Sequence, residues 1–303
     1  AGMADKDPEP LITGKQLELL KKAVEIEQTD AKAVGTVGYQ TRLWAQVSLP
    51  YRNPGDAPYW ERRNGSMSLV VRPSLIRGTD GSLVQEYPYG VIPRLLLTWM
   101  ATEVVRIGEP ELALGPSLAS FMRSVGLQPR GGKDVKAFNR QVQRLAKCTI
   151  TVEDSRENSL VGENFQFVDA WDLWWTPKDG PNEMLWPSTI TLSDKYYQSI
   201  KAAPIPVDLR ALGALRTHGG GGLPIDVYTW LAHRMSYLRS STLVPWNLLM
   251  VQFGSQYTRE RAFKTELLKA LAKVKLVYSL VKVTPTDDGL LLSPSPTPIS
   301  ARR

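Results

Sequence analysis

The chain has 303 residues, of which 43% are hydrophobic and 22% charged, a globular composition with room for two ordinary domains. A formal charge of +7 and a pI near 9.4 point to an anionic partner only where the excess is concentrated. The single cysteine, Cys148, excludes an intramolecular disulfide and fits a reducing cytoplasm, and no apolar run reaches the ~18 residues of a membrane span.

Ala1 and Gly2 precede the first methionine and read as a cloning remnant, and the opening residues do not read as a signal peptide. Residues 1–40 are expected to be a flexible segment with one short helix over 14–27, where Leu17, Leu20 and Val24 share a face. A first domain is placed at 41–180. It begins with a strand over 67–72 and a second segment over 83–89. A helix opened by Pro93 follows, with Leu96, Trp99, Met100 and Val104 at helical spacing. A helix over 117–125 stops at Gly126, and a third runs over 133–147. Strands over 149–154 and 165–175 flank a polar turn containing Ser155, Arg156, Glu157 and Asn158.

Turn formers cluster at 176–184, the expected boundary. The second domain, 181–293, repeats the order. A strand over 188–192 leads to a helix start at Tyr196 and Tyr197. Helices over 208–215, 225–238 and 244–252 follow, the last stopped by Gly254, then a long helix over 258–274. Strands over 276–284 and 290–293 close the unit. Residues 294–303, with repeated Ser-Pro and Thr-Pro, are expected to be a disordered tail. Each half thus offers a glycine-stopped helix, a long basic helix and a β-hairpin. The expected fold class is α+β, two tandem winged-helix domains, each a helix bundle with a β-hairpin wing.

The positive charge sits in the two long helices. Residues 130–147 hold six basic residues against Asp134, a local +5, and residues 256–275 hold six against Glu260 and Glu266, a local +4. At about 100° per residue, Val135, Phe138, Val142 and Leu145 form a buried stripe in the first helix. Lys133, Lys136, Arg140, Arg144 and Lys147 then face outward. In the second, Phe263, Leu267, Leu271 and Val274 are buried, and Thr258, Arg261, Thr265 and Lys269 face outward with Arg259 beside them and Lys264 on the flank. Such helices fit the major groove of double-stranded DNA, where arginine reads guanine and threonine contacts bases or phosphates. The bland alternative is a solvated charged face. The first hairpin tip has Arg156 among acids, and the second has Asp287 and Asp288 and no base, so the wings offer little to phosphates.

Nothing in the sequence assembles an enzyme, a metal site or a cofactor site. The only histidines are His218 and His233, with no His-x-His pair. Tyr196 and Tyr197 resemble the tyrosines of nicking enzymes but lack histidines to hold a metal. Gly131-Gly132-Lys133 departs from a phosphate loop at Leu127 and Asp134. Gly219 to Gly222 lacks a Gly-x-Ser-x-Gly partner and reads as a loop. Cys148 reads as core. Trp171, Trp174, Trp175 and Trp186 crowd the boundary. They read as packing, with a single-stranded DNA stacking platform as the sharper alternative.

Several segments carry a family resemblance: the run from Tyr89 to Trp99 (YGVIPRLLLTW), Leu114 to Met122 (LGPSLASFM), Ile190 to Ser193, Pro206 to Leu212, Asp226 to Leu231 and Phe253 to Tyr257. In this order they resemble the RepA-type plasmid replication initiators over residues 60–285. The resemblance implies a non-enzymatic bacterial protein of the cytoplasm that binds tandem double-stranded DNA repeats (iterons) at a plasmid origin through two winged-helix domains. It implies help in opening the origin, recruitment of host initiator and replicative helicase, and self-dimers that repress their own gene and control copy number. The alternatives are a winged-helix transcriptional repressor, a tyrosine-dependent nicking enzyme, or a scaffold whose basic faces bind protein.

Overall fold

In the computed structural model, which describes residues 13–172, 188–218, 220–254 and 256–299, the chain opens with α1 (Gly14–Gln28), β1 (Val37–Thr41) and α2 (Arg42–Gln46). Four strands follow: β2 (Trp60–Asn64), β3 (Met67–Arg72), β4 (Ser74–Arg77) and β5 (Leu83–Glu86). Then come α3 (Val91–Ile107), β6 (Glu111–Gly115), α4 (Leu118–Ser124), α5 (Gly132–Lys147), β7 (Thr149–Arg156), β8 (Ser159–Phe165) and β9 (Val168–Asp172). After residue 187 the order is β10 (Ser188–Leu192), α6 (Asp194–Ala202), β11 (Pro204–Asp208), α7 (Leu209–His218) and α8 (Gly222–Tyr237). The last elements are β12 (Thr242–Pro245), α9 (Trp246–Phe253), α10 (Glu260–Val277), β13 (Lys282–Pro285) and β14 (Gly289–Ser293). The architecture is mixed α+β, with helices packed on several small antiparallel sheets.

Two helix pairs stand out, and local chemistry fixes both. Ser117 caps α4 by accepting the Ser120 N–H, and Gly126 leaves the helix at φ +84°, a conformation that favours glycine. α5 then buries Phe138, Val142 and Leu145 on one stripe. At the second pair, a Cβ on Gly254 would lie 2.7 Å from the Met250 carbonyl and 3.0 Å from the Phe263 ring, so the approach of α9 to α10 requires glycine. α10 buries Phe263, Leu267, Leu271 and Val274. Each long helix runs into a hairpin. β7 and β8 pair from Ile150↔Phe165 to Arg156↔Ser159, and β13 and β14 from Lys282↔Ser293 to Pro285↔Leu290. The first hairpin lies in a sheet of order β2-β3-β7-β8, the second in one of order β12-β14-β13.

The cores divide the chain elsewhere than at 180. One apolar cluster runs from Trp44 through Leu97, Phe121 and Phe138 to Tyr196 and Ile200. The other joins Leu19 of α1 to Val207, Leu231, Phe263, Leu271 and Leu292. Strand β10, expected to open the second repeat, instead sits between β6 and β9, so residues 188–202 complete the first core. The partner of β7 is also corrected. It is β8, beginning at Ser159, while the expected strand over 165–175 starts later, as β9 in a different sheet.

The ends are held down as far as they are described, against the expectation of loose ends. α1 packs against α7 and α10, and β1 pairs with β11 from Val37↔Asp208 to Thr41↔Pro204. Residues 294–299 lie on the second core, where the Tyr278 hydroxyl donates to the Pro296 carbonyl at 2.6 Å and Ile299 is buried. The expected boundary at 176–184, Trp174, Trp175, Trp186, Gly219 and the chain ends at 1–12 and 300–303 lie outside the described residues.

Candidate nucleic-acid interface

α10 presents the cleaner charged face. Arg261, Thr265 and Lys269 are exposed on the helix, opposite the buried stripe, while Thr258 and Arg259, expected inside the helix, are exposed just before it, with Arg259 at the N-cap. Arg259 and Arg261 form no ion pair among the described residues. The Thr265 hydroxyl donates back to the Arg261 carbonyl at 3.0 Å, turning that side chain toward its own helix. Lys269 pairs with Glu266 at 2.8 Å, an exposed contact that costs little to break. Lys264 is different: its Nζ lies 4.5 Å from the Trp246 ring centroid, so it ties α10 to the start of α9.

α5 is half neutralised from within. Lys133 and Lys136 are exposed, but Arg140 and Arg144 converge on Glu86 at the end of β5. Arg140 holds Glu86 through both Nε and Nη2, and its Nη1 donates to the Arg77 carbonyl at 3.2 Å. Arg144 donates to Glu86 at 2.7 Å and stacks 5.1 Å from the Tyr89 ring centroid. Burial pushes the Glu86 carboxyl up, but the hydrogen bonds and charges of the two guanidinium groups outweigh it and leave its pKa below the ordinary value. Lys147 lies 5.6 Å from the Trp171 centroid. The expected five-residue basic face is therefore two free lysines, a clamped pair of arginines and a lysine seated on a tryptophan. Glu86 gave no signal in the sequence, being 54 and 58 residues from its partners.

Neither hairpin is basic. Arg156 pairs with Asp154 at 2.7 Å, Glu157 lies in the turn, and Glu153 and Glu163 lie further back along the hairpin. The second tip is folded onto α9: the Trp246 N–H donates to the Asp288 carbonyl and its Nε1 to the Thr286 carbonyl. A Cβ on Gly289 would lie 2.1 Å from the Val244 carbonyl, so this turn packs backbone to backbone.

The two cores meet at a buried ion pair. Arg94 of α3 and Asp226 of α8 are 4% and 7% exposed, and two 2.8 Å bonds join them. The remaining Arg94 donors reach the carbonyls of Leu49, Pro50 and Gly90, so all five N–H groups are used. Gly222, at the start of α8, must be glycine, because a Cβ there would lie 2.8 Å from Arg94 Nε. Gly220 and Gly221 turn at φ +81° and +117°. Gly220 to Gly222, expected from the sequence to be part of a plain loop, thus let α8 approach the guanidinium. Both ends of the pair fall in segments that carried the family resemblance, Tyr89 to Trp99 and Asp226 to Leu231.

A family model described as plasmid-encoded RepA protein matches residues 87–246, just over half of the chain. The chain belongs to the plasmid RepA replication-initiator family. The matched stretch holds α5, Arg94 and Asp226 and ends at the first residue of α9, so α10 lies beyond it. Two solved structures are similar, both at 12% identity. A crystal structure of selenomethionine derivatives of domains 2 and 3 of RctB covers 84% of this chain and 96% of its own, with a TM-score of 0.49. A crystal structure of RctB domains 2-3 covers 82% and 93%, with a TM-score of 0.48. No curated protein matches the chain.

The residues weighed for catalysis have structural places. Tyr196 is 1% exposed, packed on Phe165 and Phe167, with its hydroxyl pKa pushed up by burial, which unsuits it as a nucleophile. The Tyr197 hydroxyl donates to the Gly108 carbonyl. Cys148 is fully buried. Among the described residues no group of three or more His, Cys, Asp or Glu side chains is placed to hold a metal, and no helix is long and apolar enough to cross a membrane.

Proposed function

We propose that this RepA-family protein binds tandem double-stranded DNA repeats at a plasmid origin through two winged-helix units, α4–α5 with β7–β8 and α9–α10 with β13–β14. In this reading α10 enters the major groove and reads bases through Thr258, Arg259, Arg261 and Thr265, with Lys269 on the backbone. α5 grips phosphates through Lys133 and Lys136. Arg140, Arg144 and Lys147 join only when their internal partners let go, and Lys264 acts by holding the helix pair together. The first unit includes residues 188–202. The observation that carries the reading is the exposed face of α10 and its N-terminal approach, where Arg259 and Arg261 form no ion pair among the described residues, set opposite a fully buried stripe on a helix that follows Gly254. Opening of adjacent DNA, recruitment of the host initiator and helicase, and repression of its own gene by a self-dimer belong to the same proposal, which family membership supports. The protein acts by binding, with no chemical step of its own.

Selection of bound fragments from random duplex DNA tests the reading. A recovered site of about two helical turns fits both helices on one duplex. On that site Arg261→Ala is expected to cost roughly 1–3 kcal/mol and to relax the preference at one base position. A uniform loss across all sequences would remove the base-reading role, and a covalent adduct on denaturing gels would contradict the non-enzymatic reading.

A further inference from the structure

Arg62, in β2, is a buried cation that forms no ion pair among the described residues, although the Asp226 carboxylate acts on it from a distance. It is 1% exposed, and its guanidinium lies between the Tyr51 and Trp60 rings, 5.3 and 5.0 Å from their centroids. Nη1 donates to the Gln252 carbonyl in the last turn of α9 at 2.9 Å, while Nε and Nη2 have no partner among the described residues. An apolar side chain of the same volume would avoid the cost of two unmet donors. What it could not supply is direction: a charge aimed at the negative end of one helix.

That helix end leads through Gly254 into α10. The Gln252 side chain donates to the Gln46 carbonyl at 3.1 Å, so two bonds from the first half grip the same turn of α9. On the other side, β2 pairs with β3 and β3 with β7, and β7 begins two residues after α5 ends. A continuous path of paired and adjoining elements therefore runs from α5 through β7, β3 and β2 to Arg62, and on to α9 and α10. Arg94 stacks on the same Tyr51 ring at 4.7 Å, joining this contact to the Arg94–Asp226 pair.

We propose that Arg62 is a positioning residue that fixes α10 relative to α5, so that the two halves bind one continuous duplex site rather than two independent half-sites. This rests on the reading that both helices contact the same DNA. Arg62 itself touches no DNA: it acts through the last turn of α9. It sets which spacing between the two contacted grooves is accepted, and so serves specificity for site length.

The test uses the full chain and three duplexes: the site recovered by selection and its two separate halves. Fluorescence anisotropy gives each affinity, and circular dichroism on heating checks folding. The wild type is expected to bind the full site at least a hundredfold more tightly than either half, the gain of an intramolecular second contact. Arg62→Met keeps volume and removes direction. It is expected to lose about tenfold or more on the full site, to keep half-site affinity within about twofold, and to accept altered spacers. Arg62→Lys, which retains a donor for the Gln252 carbonyl, should restore most of the loss. Gln252→Ala cuts the neighbouring bond and should act in the same direction if Arg62→Met does not fold. Full-site affinity that is unchanged in folded Arg62→Met, or that falls by the same factor as half-site affinity, overturns the proposal alone. A wild type that binds full and half-sites equally overturns the two-helix reading, and the proposal with it.

Discussion

The Glu86 carboxylate holds Arg140 and Arg144, two guanidinium groups that the proposed function would otherwise offer to DNA phosphates, which makes Glu86→Gln an informative perturbation. The amide keeps the shape and one acceptor but removes the charge that holds both guanidinium groups. For B-DNA each added phosphate contact steepens the salt dependence of affinity by about 0.9 in log–log slope. Release of two arginines therefore predicts a slope about 1.8 steeper. Between 200 and 50 mM salt, that is about a tenfold larger gain in affinity than the wild type shows. Stability moves the other way. The Glu86 and Arg144 side chains are 16% and 15% exposed, so losing the charged contact should cost about 1–2 kcal/mol in urea unfolding. Titration of a labelled duplex over that salt range reads the first effect and the denaturation midpoint the second. Unchanged affinity and slope in a folded, slightly destabilised variant would mean that Arg140 and Arg144 are structural ties and never reach DNA.

Three further outcomes follow from the buried groups. Asp226→Asn strands a buried guanidinium and should cost about 3–5 kcal/mol by chemical denaturation, whereas Arg94→Met combined with Asp226→Leu should cost clearly less. Gly289→Ala drives a methyl group into the Val244 carbonyl and should lower the melting temperature by several degrees; an unchanged melting temperature would mean that the turn can shift. His233 has its pKa pushed down to about 4, first by burial and then by Arg42 and Arg234, while an unfolded histidine titrates near 6.5. Unfolding between those values takes up a proton, so its contribution is intact above about pH 6.5. It is lost as pH falls toward 4, by at most about 3 kcal/mol. His233→Gln should flatten that part of a stability–pH curve.

The sequence was most legible where one period governed burial. The stripes Phe138, Val142, Leu145 and Phe263, Leu267, Leu271, Val274 follow helical spacing, and the stop at Gly126 follows from a conformation that favours glycine. Legibility failed where pairing was long-range. Strand β10 carries an ordinary alternating pattern, and nothing local says that its neighbours are β6 and β9 rather than a strand of the following unit. Strand β8 is exposed along nearly its whole length and contains Gly162, so it has no alternation to read. Helical spacing and charge together mark the basic helices, but charge cannot show which cations are already paired. Glu86 lies on a distant strand, and Arg62, flanked by Glu61 and Arg63, reads as part of a solvated run although its side chain is buried.

Hydroxyl-radical footprinting of the full chain on a duplex recovered by selection measures the proposed double contact most directly. Two protected patches on one face of the DNA, about one helical turn apart, are predicted. The patch assigned to α10 should fade in Arg261→Ala, and the other in Lys133→Ala with Lys136→Ala. A single patch insensitive to Arg261, or no saturable protection of duplex DNA, would contradict the account.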